Sequence, residues 1–158
     1  MLRIMIAVDG SPLALDAVHH ALDLVHRGGL SATLVLGHVQ EEASLLELAT
    51  QGADAVAEAS IEAGAHLLAD ALALVRAAGV PHETELGLGP VAATLVDMVE
   101  RCGCDALLVG ARGLGGLRGA FLGSVSQQLV HMSPVPVTVV KHAEPQDGAL
   151  ADEGGPAA

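Results

Sequence analysis

The sequence predicts an α/β fold, a single doubly wound (Rossmann-like) layer in which a five-stranded parallel sheet carries helices on both faces. Three observations lead there. Short aliphatic runs alternate with longer segments whose apolar residues recur at helical spacing. Most of those runs are nearly continuous Val, Leu and Ile, as strands buried on both faces must be. Finally, the chain has 158 residues and is half apolar, yet it contains one phenylalanine and no tyrosine or tryptophan. Its core must therefore be aliphatic, which suits helices packed on Val/Leu/Ile strands.

The first run, Leu2 to Val8, ends in Asp9-Gly10-Ser11-Pro12, a turn that opens a helix with Ser11 as N-cap and Pro12 at the first helical position. Leu13, Ala17, Val18, Ala21, Leu22 and Val25 give that helix its apolar face, and Gly28-Gly29 stops it. Thr33 to Val39 is short enough for a second, buried strand. Between Gln40 and Ala53 the chain turns polar and acidic, and an Ala-rich helix then runs to about Ala78 and closes at Gly79. Seven carboxylates and no Lys or Arg lie between Glu41 and Asp70, which reads as a solvated helical face and loop. His82 to Leu88 is a third strand, polar enough for a sheet edge. Gly89-Pro90 opens a helix whose apolar face includes Val91, Leu95, Met98 and Val99. Ala106 to Val109 is the fourth strand, Ser124 starts a helix through about Met132, and Val135 to Val140 is the fifth strand. Residues 143–158 read as a disordered acidic tail, leaving residues 1–142 as one domain.

The formal charge of −12 argues against a nucleic-acid partner, which wants a basic footprint. Phe121 alone supplies no base-stacking platform. The five apolar residues Ile4 to Val8 are too few for a signal peptide. The longest stretch without Asp, Glu, Lys or Arg, Gly119 to Val140, contains Gln127, Gln128, His131, Pro134 and Pro136, so no membrane helix is expected. A cytoplasmic protein without membrane contact follows as the expectation. Cys102 and Cys104 form a C-x-C pair with no second pair, short of a zinc frame. His19, His20 and His66 read as surface or boundary residues.

The fourth strand runs into VGARGLGGLRGAFLGSVSQQLV. This glycine-rich loop joins a strand end to a helix N-terminus, where unpaired N–H groups and the helix dipole favour an anion. From Arg101 to Lys141 there are four basic residues (Arg101, Arg112, Arg118, Lys141) against Asp105, a balance of +3 within a chain of −12. Solvated surface charge is the favoured reading for Arg101 and Arg118, and Phe121 reads as an anchor for the loop. The glycine spacing is Gly110-x2-Gly113-x9-Gly123-Ser124.

That spacing resembles the nucleotide-binding signature G-x2-G-x9-G-[ST] of the universal stress protein family. The start, IMIAVDGSP, and the terminal PVPVTVVK are similar to that family's first and last strands, so the resemblance spans Met1 to Lys141. It implies a strand order of 3-2-1-4-5 with Asp9 and Gly110 across one cleft. It also implies that Asp9 and Val39 contact the nucleoside, that Val109, Gly110 and Gly113 line the ribose and phosphate path, and that Gly123, Ser124 and Val125 hold the phosphates. Arg112 occupies a variable motif position, and its phosphate role rests on charge alone. Asp9 has two readings: a turn carboxylate before Ser11, or a ligand-facing group that meets a hydroxyl or a Mg2+ or Mn2+ ion bridging phosphates. The ligand implied is ATP, with ADP and AMP open, and the resemblance further implies a homodimer through Val135–Val140. The stretch Gly110 to Val130 contains no Asp, Glu or Lys, and no GxxxxGK[ST] motif occurs, so a binding module is favoured over a dedicated hydrolase. Slow ATP hydrolysis in the same pocket and an ATP-independent interaction scaffold are the alternatives; the downstream protein partner is not specified by the residues.

Overall fold

The computed structural model describes residues 1–111 and 122–142. Strands β1 (Leu2–Ala7), β2 (Ala32–Gln40), β3 (His82–Leu88), β4 (Ala106–Gly110) and β5 (Val137–Val140) are joined through helices α1 (Pro12–His26), α2 (Leu45–Gln51), α3 (Ala53–Ala77), α4 (Val91–Arg101) and α5 (Ser124–Met132). The strands form one sheet in the order β3-β2-β1-β4-β5, and every pairing is parallel. The expected fold class and strand order are both present.

Side chains on successive strand residues point to opposite faces, and the aliphatic strands use this to feed two cores. Ile4, Ile6 and Val8 pack with Leu34 and Leu36 against Ala17, Val18 and Ala21 of α1 and Leu68, Ala71 and Val75 of α3. Met5, Val35, Leu107 and Val109 face the other way, onto Leu95, Met98 and Val99 of α4 and Leu129 of α5. Each fully buried Ile, Leu or Met contributes roughly 1.5–3 kcal/mol of transfer free energy. Close approach sets the fit on the second face. At Gly37 an added Cβ would stand 2.6 Å from Met5 Sδ, so a larger residue there would force the buried sulfur to move.

Ser11 and Pro12 act as expected at the start of α1, with Ser11 Oγ accepting the Ala14 N–H at 3.1 Å. The acidic segment after β2 departs from expectation, because it contains α2. Ser44 and Glu47 form a reciprocal capping box: Ser44 Oγ accepts the Glu47 N–H at 3.2 Å, and the Glu47 carboxylate accepts the Ser44 N–H at 2.8 Å. Those hydrogen bonds hold the Glu47 carboxyl below its ordinary range. Strand β5 starts two residues later than expected. Ser133 Oγ accepts the Val135 N–H and donates to the Val135 carbonyl, closing a local turn, and the ladder begins where Leu107 N–H meets Pro136 O at 2.9 Å.

The two sheet edges differ. On β3, Glu83 takes two hydrogen bonds from Arg3, at 2.9 and 2.8 Å, and Glu85 pairs with Arg101 at 3.2 Å. Both pairs draw the β3 carboxylates back over the sheet, towards β1 and α4. On β5, Val137, Val139 and Val140 are half-buried and Thr138 is exposed. Among the described residues, no helix is long and apolar enough to cross a membrane. The expectations for Arg112, Gly113, Arg118, Phe121 and the tail 143–158 lie outside the described residues.

Candidate functional site

In the order β3-β2-β1-β4-β5 the chain winds from β1 to one side, then crosses to the other side through β4. Connections at such a reversal leave the strand ends in opposite directions and open a crevice. The pairing of β1 with β2 runs to Ala7↔Gly37, and the Val8 N–H still reaches Gly37 O at 2.8 Å. The pairing of β1 with β4 stops at Ile6↔Leu108. Past that level Val8-Asp9 forms one lip of the crevice, and Val109-Gly110-Ala111 forms the other.

On the first lip, Asp9 is half-buried and its Oδ1 accepts the Ser11 N–H at 2.9 Å. The turn role is therefore real, and it fixes the carboxylate at the strand end. Gly10 follows at φ +80°, a backbone conformation that favours glycine, and an added Cβ would also push against the Leu67 side chain of α3. Val39, at the end of β2, is buried on the α4 face. Its neighbour His38, which the sequence reading did not single out, is buried on the α3 face, with Nδ1 2.7 Å from Val8 O. A carbonyl can only accept, so Nδ1 carries the proton and holds the residue before Asp9. His38 Nε2 lies 3.3 Å from the Gln40 amide.

On the second lip, α5 is tied back to the end of β4. The Gly123 N–H donates to Ala111 O at 2.7 Å, and Ser126 Oγ lies 3.2 Å from Gly110 O and 3.0 Å from Ala111 O. Ser126 is 2% exposed; its hydroxyl staples the first turn of α5 to the strand. Sequence reasoning passed over it, because a serine in a helix's first turn reads as a solvent-facing residue. The Gly123 amide is thus already committed. The α5 donors without a helical partner are those of Ser124, Val125 and Ser126, the first turn proper. Gly123 has φ −64° and ψ 162°, and Ser124 is exposed. Among the expected site residues, Asp9, Val39, Val109, Gly110, Gly123, Ser124 and Val125 all stand at the carboxyl edge of the sheet around β1, β2, β4 and α5. Arg112 and Gly113 belong to the residues not described.

The cations sort by edge. Arg27, Arg76 and Arg101 sit at the ends of α1, α3 and α4, immediately before the next strand, and so at the opposite edge from the crevice. Arg3, near the start of β1, is there too, with its backbone N–H on Asp105 at 2.8 Å. Both Arg101 and Asp105 therefore drop out of the local balance of +3. Lys141, directly after β5, is at the crevice edge: the Ala111 N–H meets Val140 O at 2.8 Å. Beside it, His142 Nδ1 lies 2.6 Å from Asp16 Oδ2 of α1, which ties the end of the described chain across that edge.

The cysteines sit elsewhere, where α4 ends and β4 begins. Cys102 caps α4, and Cys104 is buried in the second core. Burial pushes both thiols up, Cys104 to about 11, away from the thiolate character a reactive cysteine needs. Among the described residues, no group of three or more His, Cys, Asp or Glu is placed to hold a metal ion.

The profile of the universal stress protein family matches residues 1–141. A universal stress protein of Methanocaldococcus jannaschii is 28% identical over 140 residues, covering 88% of this chain and 81% of that one. Among solved structures, a universal stress protein family member of Arabidopsis thaliana with AMP bound superposes with a TM-score of 0.67 at 26% identity, covering 93% and 97% of the two chains. A universal stress protein in complex with cAMP gives a TM-score of 0.65, also at 26% identity, over 88% and 96%.

Proposed function

The chain belongs to the universal stress protein family, and from that premise we propose that it is an adenine-nucleotide-binding regulatory module that takes ATP, or AMP or ADP, in the crevice between β1 and β4. One observation carries the reading. The first turn of α5, whose N–H groups have no partner within the helix, is stapled by Gly123 and Ser126 to the end of β4, across from the Asp9 lip where strand order reverses. In this reading the nucleoside lies towards Asp9 and Val39, and Val109, Gly110 and Gly113 line the path to the phosphates. Ser124 and Val125 donate to those phosphates, Gly123 leaves them room, and Arg112 and Lys141 supply positive charge at the rim. The AMP and cAMP held by two relatives support the adenine nucleotide. Asp9 is the one carboxylate at the lip, so a Mg2+ or Mn2+ ion would draw most of its ligands from phosphate oxygens and water.

The same reading makes β5 the dimer edge. In a parallel ladder alternate residues bond to one neighbour. With Pro136 and Val140 carbonyls turned to β4, the main-chain groups of Val137 and Val139 face outward. Exposed Val130 and Met132 of α5 extend the apolar margin beside them.

The deciding experiment is to denature the purified protein and identify any nucleotide released, then to titrate the nucleotide-free chain with ATP. Stoichiometric binding with ATP intact after many hours is expected. Absence of any adenine-nucleotide binding overturns the reading, and rapid multiple turnover replaces it with a hydrolase.

A further inference from the structure

Two contiguous hollows occupy the other half of the same sheet edge, where β2 and β3 end beneath α2 and the first half of α3. The inner one, of about 430 Å³, is walled by Leu48, Val56, Ala57, Ile61, Leu86 and Leu88. The outer one, of about 340 Å³, carries Glu41, Glu42, Glu47 and Gln51. They share Gln40, Glu42, Ala43, Val56 and Ser60, so an apolar chamber opens directly into a carboxylate-lined vestibule. The shape has a local cause. Gly52 at φ +84° ends α2 and starts α3, which sets the two helices at an angle, while Gly64 lets α3 approach Leu86 closely further along. What lies between is a wedge.

Nothing in the proposed nucleotide site uses this wedge. It leaves Ile61 and Leu88 62% and 60% exposed, and Leu48 and Leu86 beside them are exposed too. Its inner volume falls in the range of small-molecule pockets, roughly 300–1,000 Å³ with mostly apolar walls and a few polar groups. Its charge is one-sided: between Glu41 and Asp70 there are seven carboxylates and no Lys or Arg. A carboxylate or phosphate at the mouth would be repelled, and an ammonium would be attracted.

We propose that this pair of hollows is a second small-molecule site, one that takes an amphipathic cation with its hydrocarbon body against Leu48, Ile61, Leu86 and Leu88 and its ammonium among Glu41, Glu42 and Glu47. The proposal is independent of the nucleotide reading. Octylammonium, octanol and octanoate, all below their micellar range, serve as probes in calorimetric titrations of the full chain. Octylammonium binds once per chain, about tenfold or more tighter than octanoate, with octanol between them. Glu42→Gln brings octylammonium down towards octanol and leaves octanol unchanged. Ala57→Phe fills the inner hollow and weakens both probes at least tenfold, with the thermal melt and the circular dichroism spectrum as checks that the fold persists. Equal or tighter binding of octanoate overturns the proposal, as does an Ala57→Phe chain that is folded and binds octylammonium as before. A smaller sedimenting species on Ala57→Phe would overturn it too, by showing that a second copy covers the wedge.

Discussion

Replacing Gly123 by valine separates the site from the fold. The backbone at Gly123, φ −64° and ψ 162°, is open to any residue, and its N–H bond to Ala111 O does not involve a side chain. Valine is a poorer N-cap than glycine, at a cost of about 1 kcal/mol, equivalent to a fall in Tm of roughly 2–4 °C for a chain of this length. The protein stays folded. The new methyl groups, however, stand beside the Ser124 and Val125 amides, where the proposed reading puts the phosphates. Each charge-assisted hydrogen bond lost is worth about 1.5–3 kcal/mol, so loss of two removes about 3–6 kcal/mol, or roughly 10²- to 10⁴-fold in Kd. Isothermal titration of the variant with ATP, alongside a thermal melt, reads both numbers. An ATP affinity within threefold of the parent chain, with the Tm lowered as expected, would refute the placement of phosphates at the start of α5.

Lys141→Ala is expected to weaken ATP binding about threefold at low salt, with the difference shrinking at high ionic strength, since an exposed charge at the rim acts through screened solvent; a difference that ignores salt counts against a charge role. Val139→Pro removes an outward N–H from β5 while sparing the bonds to β4, and proline is tolerated on an edge; sedimentation should show a monomer, and an unchanged dimer would move the interface elsewhere. The Arg3 hydrogen bonds hold the Glu83 carboxyl below its ordinary value, so that ion pair adds stability above the unfolded glutamate pKa of about 4.3 and loses it as pH falls through the folded value. The Tm gap between the parent and Glu83→Gln should therefore narrow on acidification from neutral pH to about pH 3, and a constant gap would show that the pair carries no linkage.

The sheet was legible because its strands are written in residues that leave little choice. Ile4, Met5 and Ile6 must all be buried, which only a central strand covered on both faces allows. Strand order was not available from those residues and came through the motif resemblance. Helix α2 was missed although its signal was present: Ser44 and Glu47 stand three apart, but the surrounding acids masked the cap. At the site, glycine spacing pointed to the α5 end of the crevice and the local charge balance already counted Lys141, whereas Ser126, His38 and the edge on which Lys141 stands stayed hidden. Ser126 and His38 matter through bonds to backbone carbonyls distant in sequence. Lys141 matters because of the edge it stands on. None of the three relations leaves a local pattern.

Edge geography also resolves the apparent conflict between a net charge of −12 and a phosphate ligand. Charges separated by more than about 8 Å are largely screened at physiological ionic strength, so a bound phosphate responds to its neighbours and scarcely to the total. The four described arginines at the far edge then contribute almost nothing to it, and neither do most of the acids. What counts is the division of the near edge. The acids from Glu41 to Glu62 gather over β2, β3 and the start of α3, while the first-turn amides of α5 and Lys141 lie by β4 and β5. On the proposed reading, a nucleotide in the crevice therefore has one favourable orientation, with its phosphates towards α5 and its base towards Val39. The reverse orientation would carry the phosphates towards the acidic half. The same division gives the apolar wedge its opposite preference, so on both proposals the two halves of one sheet edge select ligands of opposite charge.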